Sequence, residues 1–172
     1  MLTENNILDA INARLCERFP ERMVYVNVQP QEFKRPSFFI RSGDKNAEPA
    51  TRTTMVRTET YYITVFEAVD ERGICDLTQL SAVQAQVAAL FFHPFPCVDV
   101  LDQETRWLTA TPTAQALSEL DSALIALKVR FHDDVINGLI EPIYPEPLMR
   151  TVRMTETNNE YSEVITDGSS DS

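Results

Sequence analysis

The spacing of apolar positions changes along the chain, and each change predicts an element. Leu8, Ile11, Leu15 and Phe19 recur at intervals of three and four, with Asn12, Arg14 and Glu17 elsewhere on the helical wheel. This predicts an amphipathic helix over 4–19, capped by Thr3 and stopped by Pro20. The interval then falls to two. Val24, Val26 and Val28 alternate with Tyr25, Asn27 and Gln29, which predicts a half-buried strand over Met23–Gln29 ended by Pro30. Arg35–Arg41 reads as a second strand, with Pro36 at its start, where a missing N–H does least harm. Residues 43–50 are polar and turn-rich and predict a loop. A third, long strand is expected over about 53–69, centred on Tyr61-Tyr62-Ile63-Thr64-Val65-Phe66. Three strands with short connections suggest an antiparallel meander.

Asp70-Glu71-Arg72-Gly73 marks a turn. A second helix is expected over 77–92, with Asp76 as N-cap, Gln79 three residues on, and Leu80, Val83, Val87 and Leu90 as its apolar stripe. His93-Pro94 ends it, because the residue before proline avoids helical angles. Cys97–Leu101 and Arg106–Thr111 read as two short strands around Asp102-Gln103-Glu104. Residues 114–132 fit two periods. Leu117, Leu120, Leu124, Leu127 and Phe131 sit at helical spacing, while Ile125, Leu127, Val129 and Phe131 alternate as in a strand. The β-branched and aromatic end favours a strand over about 122–132, with a helix as the competitor. Beyond Asp134 the character shifts: 141–147 holds three prolines, 149–155 allows a short strand, and 157–172 has four acids, no base and many Ser, Thr and Asn, the composition of a tail without its own core. The elements sum to an α+β fold: an antiparallel sheet with two helices packed on one face, plus an extended C-terminal arm. The expected organisation is a domain over 1–132 and a Pro-rich, then acidic, extension over 133–172.

Composition narrows the function. The chain has 172 residues, 44% of them apolar, enough for one domain with a buried core. Four scattered glycines exclude a Gly-rich phosphate loop. Three scattered cysteines are too few for a disulfide scaffold, and an odd count suits a reducing compartment. The first residues lack the basic and apolar regions of a signal peptide, and the longest strongly apolar run, Val87–Phe92, is far short of a membrane span. No membrane partner is expected.

Catalytic and metal chemistry find little support. His93, Cys97 and Cys75 are the only soft ligands near one another, and their spacing does not match a zinc site, so no metal or cofactor is expected. Cys75 precedes a helix N-terminus, where a thiol can be activated; the same position suits packing against Leu80. Asp133 and Asp134 point to opposite faces of a strand and read as solvated. No Gly-x-Ser-x-Gly, His-Glu-x-x-His or Walker pattern occurs, so no catalytic residue is assigned and a small hydrolase is a distant alternative.

Charge is the sharper feature. The net charge is −11, which opposes sequence-reading contact with DNA phosphate. Yet residues 34–57 carry six bases and only two acids. Twelve of the fifteen bases in the chain are Arg, the residue suited to forked pairing with carboxylates. Arg35, Arg41, Lys45, Arg52 and Arg57 therefore form a candidate interface on a strand–loop–strand unit, against the plainer reading of solvated strand-edge charges.

The order helix, three strands, helix, further strands resembles the bacteriophage tail terminator proteins of Gram-positive prophages. The resemblance runs over about 3–132. It rests on Phe19-Pro20, the strand Val24–Val28, then Phe33, Arg35, Pro36 and Phe38-Phe39-Ile40, the strand Tyr61–Phe66, and the helix with Leu80, Val83 and Val87. It implies a virion structural protein that assembles in the host cytoplasm. Such a protein forms a ring, typically hexameric, on the head-proximal end of the tail, stops tube growth and presents the junction to the head. The implied partners are further copies of the chain, the tail tube protein and the head–tail connector protein, with DNA passing through the lumen without sequence-specific binding. A head-completion or connector protein, or the cap of a contractile injection particle, is the alternative within this class.

Overall fold

A computed structural model describes residues 2–51, 53–99, 103–115, 121–134, 153–157 and 160–164. The chain divides into two units, Met1–Val135 and Ile136–Ser172. The first holds α1 (Glu4–Arg18), β1 (Met23–Val26), β2 (Ser37–Pro49), β3 (Thr54–Phe66), α2 (Leu77–Leu90), β4 (Phe95–Val98), β5 (Thr105–Ala114) and β6 (Ser122–Asp134). The second holds an antiparallel pair, β7 (Arg153–Thr157) and β8 (Glu160–Val164).

Six strands form one mixed sheet in the order β1-β2-β3-β6-β5-β4. Register sets its two faces. Val65, Ile63 and Tyr61 of β3 stand opposite Ala123, Ile125 and Leu127 of β6, and Ile63 and Val65 stand opposite Ile40 and Phe38 of β2. All eight are buried, so one face is apolar. Both helices cover that face: α1 lies against β1, β2 and β4, and α2 against β3, β5 and β6. Ile7, Leu8, Ile11 and Leu15 of α1 and Leu80, Val83 and Val87 of α2 join the same core. The fold is α+β, with both helices on one side of the sheet.

Helix ends follow the capping residues. The Thr3 hydroxyl accepts from the Asn6 amide at 3.3 Å. Asp76 accepts from the Thr78 and Gln79 amides at 2.8 and 3.3 Å. Gln84, off the apolar stripe, is nevertheless buried. Its Nε2 donates to the carbonyls of Gln115 and Leu124 at 2.8 and 2.9 Å, fastening α2 to the sheet.

Several expectations are corrected. β1 and β2 pair in parallel, not as the first turn of a meander. The first strand stops at Val26 because Asn27 takes a positive φ of 59°, and Val28 is 73% exposed. The chain then returns along residues 27–36. Phe33 anchors this loop, its ring centroid 6.4 Å from Tyr25 and 4.6 Å from Phe66. Residues 43–49, expected as a loop, extend β2. Cross-strand pairing with Met55–Glu59 supplies the hydrogen bonds that their polar composition conceals, and a register shift between Ser42 and Lys45 absorbs the irregularity. Gly43 sits in this bulge, where a Cβ would come within 2.4 Å of Tyr62 Cε2; only glycine leaves room for that ring. Of the ambiguous stretch 114–132, the part expected as a strand, 122–132, is in strand β6, in thirteen-residue register with β3, while residues 116–120 lie outside the described residues. Glu160–Val164, expected within a structureless tail, is a strand paired with β7.

Candidate assembly interface

The structure disperses most of the basic island into ion pairs of the protomer's own. Arg35 closes on Asp121, with Nη2 2.6 Å from Oδ2, and donates to the carbonyls of Glu67 and Asp121 at 3.3 and 3.2 Å. Its guanidinium lies over Phe33 and Phe66, 4.9 and 5.0 Å from the ring centroids. Arg35 thus ties the 27–36 loop to the end of β3 and the start of β6. Lys45 pairs with Glu4 in the first turn of α1. Lys45, first by hydrogen bonding, and Ser42 hold the Glu4 carboxyl below its ordinary value. Both partners are partly exposed, so this pair is worth little more than about 1 kcal/mol.

Arg57 is the centre of a buried network. Its Nη1 donates to Asp133 Oδ2 at 3.0 Å and to the Leu2 carbonyl at 2.8 Å, and its Nη2 to Glu59. Arg106 reaches the other Asp133 oxygen at 3.4 Å. The Tyr61 hydroxyl donates to Glu59. Burial first, and then this bond to a carboxylate, raise the Tyr61 phenol far above its ordinary value. Asp133 is therefore not solvated. It is a buried carboxylate shared by two guanidiniums, because its side of β6 is the one that faces the core.

Arg41 differs from its neighbours. It is exposed, stacks over Tyr62 at 5.1 Å, and has no ion pair among the described residues. Arg52 lies outside the described residues. Of the five candidate interface residues, the geometry brings together Arg57 with the start of α1, and Lys45 with the same helix end; Arg41 alone of the four described points its charge outward unpaired.

Sequence reasoning missed one buried pair altogether. Arg22 Nη2 lies 2.6 Å from Glu67 Oε1, both side chains nearly fully buried, with the guanidinium over Phe19 and Phe38. Their separation of 45 positions leaves no local pattern to find. Phe19 and Phe38, which flank Arg22, are recognisable as core residues, and that is the only signal present.

The thiols fit packing. Cys75 and Cys97 are buried in the core, and Cys97 donates to the Asn6 carbonyl at 3.3 Å. Burial raises both thiols, that of Cys97 to about 11. A raised thiol holds less thiolate, which is the nucleophilic form, so the position before α2 does not activate Cys75. Among the described residues no group of three His, Cys, Asp or Glu side chains converges on a metal-sized site. No helix among them is long and apolar enough to cross a membrane.

None of the curated proteins matches the sequence. The family model described as phage tail terminator protein matches residues 6–92, which span α1, β1, β2, β3 and α2. The matched stretch includes Arg35, Lys45 and the exposed Arg41. With half of its length matched on that framework, the chain belongs to the phage tail terminator family, and its role is a structural one in the phage tail.

Proposed function

We propose that the protein caps the head-proximal end of the tail tube as a ring, hexameric in its complete form, and presents the surface that joins the head. The observation that carries this reading is the family match over residues 6–92. The physical chemistry is consistent with it. A ring needs two different patches on each copy, one meeting the other on the next. The excess of acids over bases suits a lumen through which DNA slides, since like charge keeps the phosphate backbone from sticking. In this reading Arg41, with Arg52, reaches across an inter-subunit or tube contact, while Arg35, Lys45 and Arg57 hold the shape that presents it. The C-terminal unit is an arm that reaches a neighbouring copy.

The test is removal of the protein from the phage. Particles made without it should carry tails of irregular, excessive length and fail to join heads, as seen by electron microscopy. Tails of normal length joined to heads would defeat the reading. Labelled protein located at the head vertex before any tail attaches would instead favour the connector alternative.

A further inference from the structure

The sheet has a second face, and it carries the positive charge that the basic island does not. On β6 its outward positions are Lys128, Arg130 and His132, all exposed. Lys128 and Arg130 have no ion pair among the described residues. Lys128 stands between Thr60 and Thr111, and Arg130 between Thr58 and Thr109. From Thr58 to Thr64 on β3, Trp107 to Thr113 on β5 and Leu124 to His132 on β6, no outward residue is acidic. Asp44 and Glu48 lie on the distal half of β2, beyond its pairing with β1. Beside the basic row, Trp107 is 67% exposed and stands opposite Pro96, with Val98 next to it 47% exposed. An exposed Trp in a polar and basic frame is the composition of an interface centre rather than of a solvated sheet.

The same unit carries the complement. After β3 the chain makes a turn closed by a bridge between Val69 and Cys75. The Asp70 carboxylate accepts from the amides of Arg72 and Ile74, both at 2.9 Å, and Gly73 supplies a φ of 77°. This hydrogen-bonded turn presents Val69, Ile74 and Leu77, exposed by 39, 39 and 42%, among Asp70, Glu71 and Asp76, with Arg72 the single base. It is apolar and acidic where the sheet face is aromatic and basic.

We propose that the open sheet face of one copy receives the Val69–Leu77 turn of the next. This rests on the assembly reading above and names its contact. A second copy is favoured over DNA because the partner's complementary patch is present on the chain itself, whereas a molecule of net charge −11 is repelled by a polyanion. The turn begins beyond Phe66, six residues and about 20 Å along β3 from the Lys128 row. Face and turn are thus separate patches, the contact is heterologous, and it can pass from copy to copy until a ring closes.

Two variants of the full chain test this by sedimentation velocity. The face variant carries Trp107→Ala, Lys128→Glu and Arg130→Glu; the turn variant carries Glu71→Lys and Leu77→Lys. Each alone should associate at least about 30-fold more weakly than wild type, the loss expected for interface anchors, with an unchanged circular dichroism spectrum. An equimolar mixture should associate at least as far as a 1:1 dimer, because each variant keeps the one surface that the other lacks and the two reversed patches are again opposite in charge. If the face variant folds poorly, Arg130→Ser alone should still weaken association in the same direction. The proposal is overturned if the wild type stays monomeric at high concentration, if the variants assemble like wild type, or if their mixture does not pair. It is equally overturned if the face variant loses only binding to duplex DNA or to tail tube protein while self-association is kept. Supplying the variants to phage that lack the protein separates this from the functional reading. Variants that cannot assemble yet yield normal tails would leave the contact standing and remove the terminator role. Variants that assemble normally and yield normal tails, in phage that need the protein, would do the reverse.

Discussion

At the scale of residues, the strongest commitments are buried charges. Asp133 is shared by Arg57 and Arg106 with its side chain fully buried, and Arg57 also holds the Leu2 carbonyl. Removing one partner of such a network strands the others without water. Asp133→Ala should therefore lower unfolding free energy by about 3–5 kcal/mol, read from the urea midpoint. Cysteine reactivity should follow burial: at neutral pH one thiol, Cys16, reacts quickly with an aromatic disulfide reagent, and Cys75 and Cys97 react only on unfolding. Fast modification of Cys75 in the folded protein would restore the idea of an activated thiol. Cys97 also sets a pH dependence. Its folded thiol titrates near 11, whereas an unfolded one titrates near 9. Between these values the unfolded chain releases a proton that the folded chain keeps, so stability falls as pH rises, by up to about 1.4 kcal/mol per unit. Cys97→Ala should flatten that part of the profile relative to wild type.

At the scale of elements, caps and registers decide what was legible. Asp76→Ala should cost about 1 kcal/mol, seen as a lower melting temperature, because two amides of the first turn of α2 lose their acceptor. Both helices were readable because an apolar stripe, a capping residue and a terminating proline agree at each. The central strands were readable because Tyr61, Ile63 and Val65 alternate against a buried face. The distal half of β2 was not, since Asp44, Lys45, Asn46 and Glu48 have loop composition and are held by pairing with β3, a non-local cause. The parallel pairing of β1 with β2 was hidden for a similar reason. A ten-residue return suggests a hairpin, and only Phe33, packed between Tyr25 and Phe66, shows why the chain travels back first. The basic island was legible as charge but not as geometry, because Asp121 lies 86 residues beyond Arg35 and Asp133 lies 76 beyond Arg57.

At the scale of the whole molecule, the island divides into charges that hold the fold and charges free to reach outward. Arg35→Glu and Arg57→Glu should each unfold or strongly destabilise the protomer, since each would place a carboxylate against Asp121 or Asp133. Arg41→Glu should change stability by no more than about 1 kcal/mol, losing only the stacking over Tyr62, so that any effect on assembly is a surface effect. Comparing melting temperature with sedimentation for these three variants separates the two classes. If Arg57→Glu melts like wild type, the buried network is not what joins α1 to the sheet. The sheet order carries a further consequence, for synthesis. β3 lies at the centre of the sheet, and its partner on one side, β6, begins fifty-six positions after β3 ends. Until that segment leaves the ribosome, the nascent chain holds a long strand rich in aromatic and β-branched residues with one edge bare. The family-matched half of the chain, released alone, would thus be a template for aggregation rather than a smaller version of the protein, because the edge of β3 is covered only once β6, ending at Asp134, is present.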